Sequence, residues 1–294
     1  MNKVGFIGVG IMGKSMVRNL MKAGFELHIY ARTKSKVEDV IGEGAQFYES
    51  IKDCVQDCDA VITIVGFPQD VEEVYFDQGN ILDSAKEGAY LIDMTTTSPQ
   101  IAEKIYEEGT KRGFHVMDAP VTGGDTGAKA GTLSILVGGE KEDYEACMPL
   151  FEAMGTNINY QGKAGCGQHC KLANQIMIAG TLSGVCEALT YAKEQGLDPE
   201  VFMKSVATGA AGSKQLDTFG PKILKDDYAP GFFMKHFIKD MKLALIEANR
   251  KGLSLDVLSM VLANYEELEQ EGYGDLGTQA LMKFYDEEHR NTEE

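Results

Sequence analysis

The segment GCGQHCKLANQ, residues 165–175, carries one cation and two amides at a spacing that chemistry can use. Lys171, Asn174 and Gln175 stand at i, i+3 and i+4, so on a helix they share one face. Ile176 to Ala192 follows as a long apolar segment that reads as a buried helix. An ammonium at the mouth of such a helix is unfavourable unless it has a partner or a task. Either Lys171 packs its stem and keeps its head in water, or it moves a proton for a substrate oriented by the neighbouring amides.

A second chemical element opens the chain. VGFIGVGIMGKSMVRNLMKAG (4–24) places Gly8, Gly10 and Gly13 in a G-x-G-x-x-G after a β-rich run and at the start of a helical pattern. The first glycine allows a tight turn, the second lets backbone approach a pyrophosphate, and the third permits close helix–strand packing. N–H groups of the helix start then face the phosphates, so Ile11 and Met12 count with the glycines as cofactor contacts. Strand, helix and motif agree on dinucleotide binding.

The nucleotide is chosen at the end of the second strand, about 20 residues on. An acid there would bind both ribose hydroxyls of NAD, but the chain reads Tyr30-Ala31-Arg32-Thr33-Lys34. Arg32 and Thr33, with Lys34 beside them, suit a 2′-phosphate. NADP(H) is therefore the expected cofactor and NAD the alternative; a solvated basic turn is the plainer reading. A further glycine cluster lies in FHVMDAPVTGGDTGAKAGTL (114–133). Thr122, Gly123 and Gly124 have the makings of an anion nest, two residues without side chains beside a hydroxyl. A loop that only turns the chain is equally consistent with that composition.

The elements that position these groups follow from periodicity. Val4–Gly8, Glu26–Tyr30, Ala60–Val65, Tyr90–Met94, Phe114–Met117 and Leu133–Val137 read as strands, alternating with helical stretches such as 11–23 and 99–112. Ser98 is a natural N-cap, Pro99 takes the first helical position, and Gly113 ends the helix. The alternation implies right-handed βαβ units and a parallel sheet covered on both faces. From Gly165 amphipathic helices take over, at about 166–195, 198–208, 239–251, 256–271 and 277–288. The expectation is a doubly wound α/β domain over 1–164 and an all-α domain over 165–294, with GTNINYQGKAGCG (155–167) at the boundary.

Composition narrows the function classes. The 294 residues carry a formal net charge of −17, which repels nucleic acid and anionic lipid. An acidic ligand must then be held by local cations and N–H groups. The final DEEHRNTEE reads as a solvated tail. Apolar runs are strand-sized or broken by Lys, Glu and Gly, so no membrane span is expected. The start resembles no signal peptide, and six cysteines fit a reducing compartment, so a cytoplasmic protein is expected. Cys54/Cys58 and Cys166/Cys170 read as small buried residues, and His169 and His236 as loop or helix residues; no metal site is expected.

Three motifs together carry a resemblance. The opening glycine motif, DAPVTGG..GA..GTL and G.G...KLANQ stand in the order and spacing of the β-hydroxyacid dehydrogenase family, and the similarity runs over essentially the whole chain. The resemblance implies a Rossmann domain, a helical C-terminal domain, an interdomain substrate pocket and a homodimer or homotetramer. It matches Lys171 to the catalytic lysine, Val65 and Gly66 to cofactor contacts, and Thr96 to a polar residue beside the nicotinamide. Lys239, and Phe232 upstream of it, match cofactor-side residues of the helical half. Two positions depart from the pattern: Thr122 stands where many members have serine, and Gln175 where many have asparagine. Asn174 matches the Lys-x-x-Asn form of part of the family, so either amide is a candidate for substrate contact.

The resulting expectation is an NADP(H)-dependent oxidoreductase interconverting a small semialdehyde acid and its 3-hydroxy acid, with Lys171 as general acid and base. The leading substrates are tartronate semialdehyde and methylmalonate semialdehyde. Succinate semialdehyde, glyoxylate and sulfolactaldehyde are alternatives within the class. An imine reductase and a non-catalytic NADP-binding sensor are the competing readings. Retention of Lys171 weighs against both.

Overall fold

The computed structural model describes residues 1–285; the acidic run 286–294 and the end of the helix expected over 277–288 lie outside the described residues. The chain divides into two compact units, 1–171 and 172–294.

The first unit is built on one sheet. Its strands are β1 (Lys3–Ile7), β2 (Glu26–Tyr30), β3 (Gln46–Phe47), β4 (Ala60–Thr63), β5 (Tyr90–Asp93), β6 (His115–Asp118), β7 (Val121–Thr122), β8 (Leu133–Gly139) and β9 (Gly155–Gly162). The order is β3-β2-β1-β4-β5-β6-β8-β7, with β9 on the other edge of β8. Strands are apolar without a polar stripe because both faces are covered. Val4, Phe6, Ile29, Ile62 and Ile92 enter one core with Met16 and Leu20 of the helix Ile11–Lys22. Ile7, Val61 and Leu91 point the other way, into a core with Val71 and Ile105. The chain winds outward from β1 on one side and β4 on the other, so the switch point lies between them, where open α/β sheets place their ligand crevice.

Two features depart from the sequence reading. The sheet is parallel only as far as β6; β8 runs antiparallel to it, Met117 facing Gly139 and Asp118 facing Gly138. Between them lie only β7 and the seven-residue helix Gly124–Ala130, about 10 Å of helix, too little for a right-handed crossover. The second is β9, which falls in the stretch read as a boundary. It pairs parallel with β8 from Leu133–Gly155 to Gly138–Gly162, and most of its polar side chains are exposed. Such an edge strand has no apolar alternation to announce it.

The second unit is helical: the greater part of Cys166–Glu194, then Pro199–Ala207, Lys214–Ile223, Met234–Arg250, Asp256–Gln270 and a 3₁₀ stretch, Thr278–Tyr285. Lys214–Ile223 was not expected, because Pro221 lies inside it; Ser213 caps it by accepting the Leu216 N–H at 3.1 Å. Met234–Arg250 also starts earlier than the reading at 239. By length and composition alone Cys166–Glu194 is apolar enough to cross a membrane, against expectation. Its Ala179, Leu182, Cys186 and Leu189 are instead buried in a core with Phe237, Met241, Val261 and Tyr265.

The glycine turn separates packing from ligand space. A Cβ on Gly13 would lie 2.2 Å from the Gly8 carbonyl oxygen, whereas one on Gly10 would meet nothing within 4 Å. Gly13→Ala is therefore expected to destabilise the fold by about 1–3 kcal/mol, lowering the melting temperature by several degrees in calorimetry. Gly10→Ala should melt with the wild type. Equal melting of all three proteins would show that the Gly8–Gly13 contact is not tight.

Candidate active site

In the first unit the cofactor-type residues cluster at the carboxyl ends of the parallel strands. Gly8 ends β1 with φ +98°, and a Cβ there would lie 2.1 Å from the Ile64 carbonyl oxygen. Gly10 then N-caps the helix Ile11–Lys22 with no side chain on its first N–H groups. Open space over Gly10 and uncapped donors at Ile11 and Met12 fit a pyrophosphate. Beyond β2, Arg32 is 77% exposed and its Nη1 lies 3.3 Å from Asp70 Oδ1. Asp70 is anchored in turn by accepting the Phe67 N–H at 2.9 Å. Thr33 follows in extended conformation before a short 3₁₀ turn, Lys34–Lys36.

A buried polar frame supports the strand exits, and no residue of it was foreseen from sequence. Asp93 ends β5 and pairs in register with Asp118 at the end of β6. Asp93 Oδ1 accepts from Thr63 Oγ1 at 2.8 Å and from the Thr95 N–H at 3.1 Å, while its Oδ2 is buried without a partner. Burial raises this carboxyl to about 6, against the hydrogen bonds that lower it. Thr95 Oγ1 accepts the Val65 N–H at 3.0 Å, so the exits of β4 and β5 are tied together beside Val65, Gly66 and Thr96.

Asp118 makes the corresponding tie to the helix that carries Lys171. Its Oδ1 accepts the Gly165 N–H and its Oδ2 the Gln168 N–H, both at 2.8 Å. Burial still raises its pKa, against these two bonds. The approach is backbone on backbone: a Cβ on Gly167 would fall 2.4 Å from the Leu136 carbonyl oxygen, and one on Gly138 would fall 2.8 Å from the Gly167 nitrogen. Gln168 is fully buried; its Oε1 accepts the Thr97 N–H at 3.0 Å and its Nε2 donates to the Thr95 carbonyl at 2.7 Å. Lys171 follows one turn later at 7% exposure. A head resting in open water is not what this helix provides.

Thr122 lies in β7 opposite Ser134, and Gly123 and Gly124, the N-cap and first residue of the short helix, take φ +128° and +63°. Only glycine adopts this pair readily.

The second unit holds the remaining candidates. Asn174 Nδ2 donates to Gln175 Oε1 at 2.8 Å, and Gln175 Nε2 donates to Asp240 Oδ2 at 2.7 Å. Lys239 Nζ reaches Asp240 Oδ1 at 3.0 Å. Gln175 is 1% exposed with both ends of its amide engaged, while Asn174 is half-buried. Phe232 packs on His236 and edge-on to Phe237, with ring centroids 6.5 and 6.0 Å apart. His169 is exposed on its helix. The frame residues had faint sequence signals: Asp93 and Asp118 each close an apolar run with a charge, and Gln168 and Asp240 sit one turn or one residue from a lysine.

Residues 3–162 match the model of the NAD-binding domain of 6-phosphogluconate dehydrogenase. Residues 165–285 match the NAD-binding model of NADP-dependent 3-hydroxyisobutyrate dehydrogenase. The chain belongs to the β-hydroxyacid dehydrogenase family. It is accordingly an NAD(P)-dependent oxidoreductase with a Rossmann domain followed by a helical one. It is 50% identical to the uncharacterized oxidoreductase YkwC of Bacillus subtilis, over 96% of this chain and 98% of that one. It is 36% identical to 2-hydroxy-3-oxopropionate reductase of Escherichia coli, over 86% of each. The 3-hydroxyisobutyrate dehydrogenase of Mycobacterium tuberculosis, solved with L-serine, superposes with a TM-score of 0.88 at 26% identity, covering 96% of this chain and 98% of that one.

In this β-hydroxyacid dehydrogenase the buried Asp93 makes a pH signature. Its folded pKa of about 6 lies above the unfolded value, so the folded state binds the proton more tightly. Stability is therefore lost as pH rises from about 4 to 6, by on the order of 2–3 kcal/mol. Asp93→Asn removes this titration. The melting temperature of the variant should gain on the wild type between pH 4.5 and 7.5; parallel curves would mean that Asp93 ionises normally.

Proposed function

We propose that this enzyme is an NADP(H)-dependent reductase of small semialdehyde acids, reversible toward the 3-hydroxy acid. The observation that carries the reading is Lys171, buried one turn into a helix whose start is tied to the ends of β5 and β6. An ammonium there stabilises charge developing on a carbonyl oxygen and then protonates it. In oxidation its neutral form takes the hydroxyl proton. The nicotinamide, when bound, supplies or accepts the hydride.

The other residues bind and orient. Gly8, Gly10, Ile11, Met12 and Gly13 hold the pyrophosphate, and Val65, Gly66 and Thr96 line the cofactor; Phe232 and Lys239 are the further cofactor contacts that the family resemblance assigns. Arg32 and Thr33 take the 2′-phosphate. The exposed guanidinium, held among the described residues by one long contact to Asp70, supports that assignment. Thr122, Gly123 and Gly124 hold the substrate carboxylate. Of the two amides, Asn174 places the oxygen-bearing end, because Gln175 is engaged by Asn174 and Asp240. The relatives named for 2-hydroxy-3-oxopropionate and 3-hydroxyisobutyrate support tartronate semialdehyde and methylmalonate semialdehyde as the first substrates to try.

The active species is a homodimer or homotetramer. Met177 and Tyr191 on the long helix are 73% and 67% exposed, and Ile246, Leu253, Val257 and Met260 are exposed on the same unit. Apolar exposure of this extent suits burial against a second copy.

The deciding experiment follows NADPH oxidation over tartronate, methylmalonate and succinate semialdehydes, glyoxylate and sulfolactaldehyde. Lys171→Ala should lower kcat by about 10²–10⁴-fold with cofactor affinity little changed. Arg32→Ala should raise KM for NADPH by roughly tenfold or more, the loss of a charge-assisted bond, and leave KM for NADH unchanged. NADPH binding without turnover of any aldehyde would favour a sensor, and a wild-type preference for NADH would overturn the 2′-phosphate assignment.

A further inference from the structure

We propose that Gln168 is a positioning residue that fixes the nicotinamide-side loop relative to the proton-donating lysine; this rests on the reading of Lys171 and Thr96 given above. Its amide bonds the two consecutive peptides on either side of Thr96, accepting from the Thr97 N–H at 3.0 Å and donating to the Thr95 carbonyl at 2.7 Å. This is the two-bond pattern that one residue of a parallel partner strand makes, supplied here by a side chain. The peptides it grips are those flanking Thr96.

The same residue is fastened at its backbone. The Gln168 N–H enters Asp118 Oδ2 at 2.8 Å, beside the Gly165 N–H on Oδ1. Its side chain therefore holds the exit of β5 while its main chain is held by the exit of β6. Lys171 lies three residues on, one helical turn away. Thr95 carries the tie onward, through Oγ1 to the Val65 N–H and through its own N–H to Asp93 Oδ1.

Reduction needs a hydride and a proton delivered to the two ends of one carbonyl bond. The distance between their sources is then a rate-determining dimension, and misplacement by about 1 Å lowers a rate on the order of 10²-fold. A glutamine suits the task where its neighbours in size do not. Ionised glutamate keeps the acceptor and loses the donor, and methionine keeps the volume and loses both.

The test uses Gln168→Met in the full chain, with the aldehyde that the wild type reduces best. We expect kcat to fall about 10–100-fold, with aldehyde KM and NADPH affinity, read by fluorescence titration, each within about threefold of wild type. The primary isotope effect with 4-deuterated NADPH should rise, because hydride transfer becomes slower than product release. A role in stability alone would lower the melting temperature and leave kcat and the isotope effect of the folded protein unchanged, which overturns the proposal. So would loss of NADPH affinity with normal kcat at saturation. If Gln168→Met does not fold, Gln168→Glu, which keeps the acceptor for the Thr97 N–H and sets a repelling oxygen against the Thr95 carbonyl, is expected to show the same pattern; wild-type kcat in that variant overturns the proposal equally. A wild-type enzyme inactive on every aldehyde removes the functional reading and this inference with it; an active wild type with an indifferent Gln168→Met removes this inference alone.

Discussion

A carboxylate at the end of β6 receives two N–H groups from the start of the helix that carries Lys171, in a place that water does not reach. The start of that helix takes its place on the sheet from this contact. Helix N-termini present unsatisfied N–H groups, and a buried acid presents unsatisfied lone pairs; each is unfavourable alone. Together they fix the first turn against the sheet. The contact is short enough only because Gly138 and Gly167 have no side chains, so two glycines far apart in sequence serve one approach.

Asp93 and Asp118 are neighbours across two strands, and the charge of Asp118 adds to the burial that raises the Asp93 carboxyl. Two buried acids side by side are unfavourable, and their separate duties explain why both are present. One braces the exits of β4 and β5 through Thr63 and Thr95, the other braces the helix. A comparable economy operates in the second unit, where Asp240 lies between Gln175 and Lys239 and holds both. In each case a buried carboxylate fixes the groups that bond to it.

Much of this was legible in the sequence for a simple reason: the strands of a doubly covered sheet are apolar runs, and the glycine turn is dictated by atoms that touch. The six strands read from those runs lie within two residues of the observed ones. The strand β9 was not legible, since an exposed edge has no hydrophobic period, and Pro221 concealed a helix. The frame was illegible for a different cause. Asp93, Asp118 and Gln168 are separated by long stretches of chain, and their meaning depends on partners that only the fold brings near. Spacing identified Lys171, Asn174 and Gln175 as a group, yet could not say that Gln175 turns inward to Asp240.

Arg32 stands clear of the hydrophobic interior, 77% exposed, with its ion pair to the rim acid Asp70. A side chain placed there can be exchanged with little effect on the forces that keep the chain folded. The exit of β2 is thus a place where the sequence can vary, while the glycine turn and the buried acids, whose atoms touch, cannot.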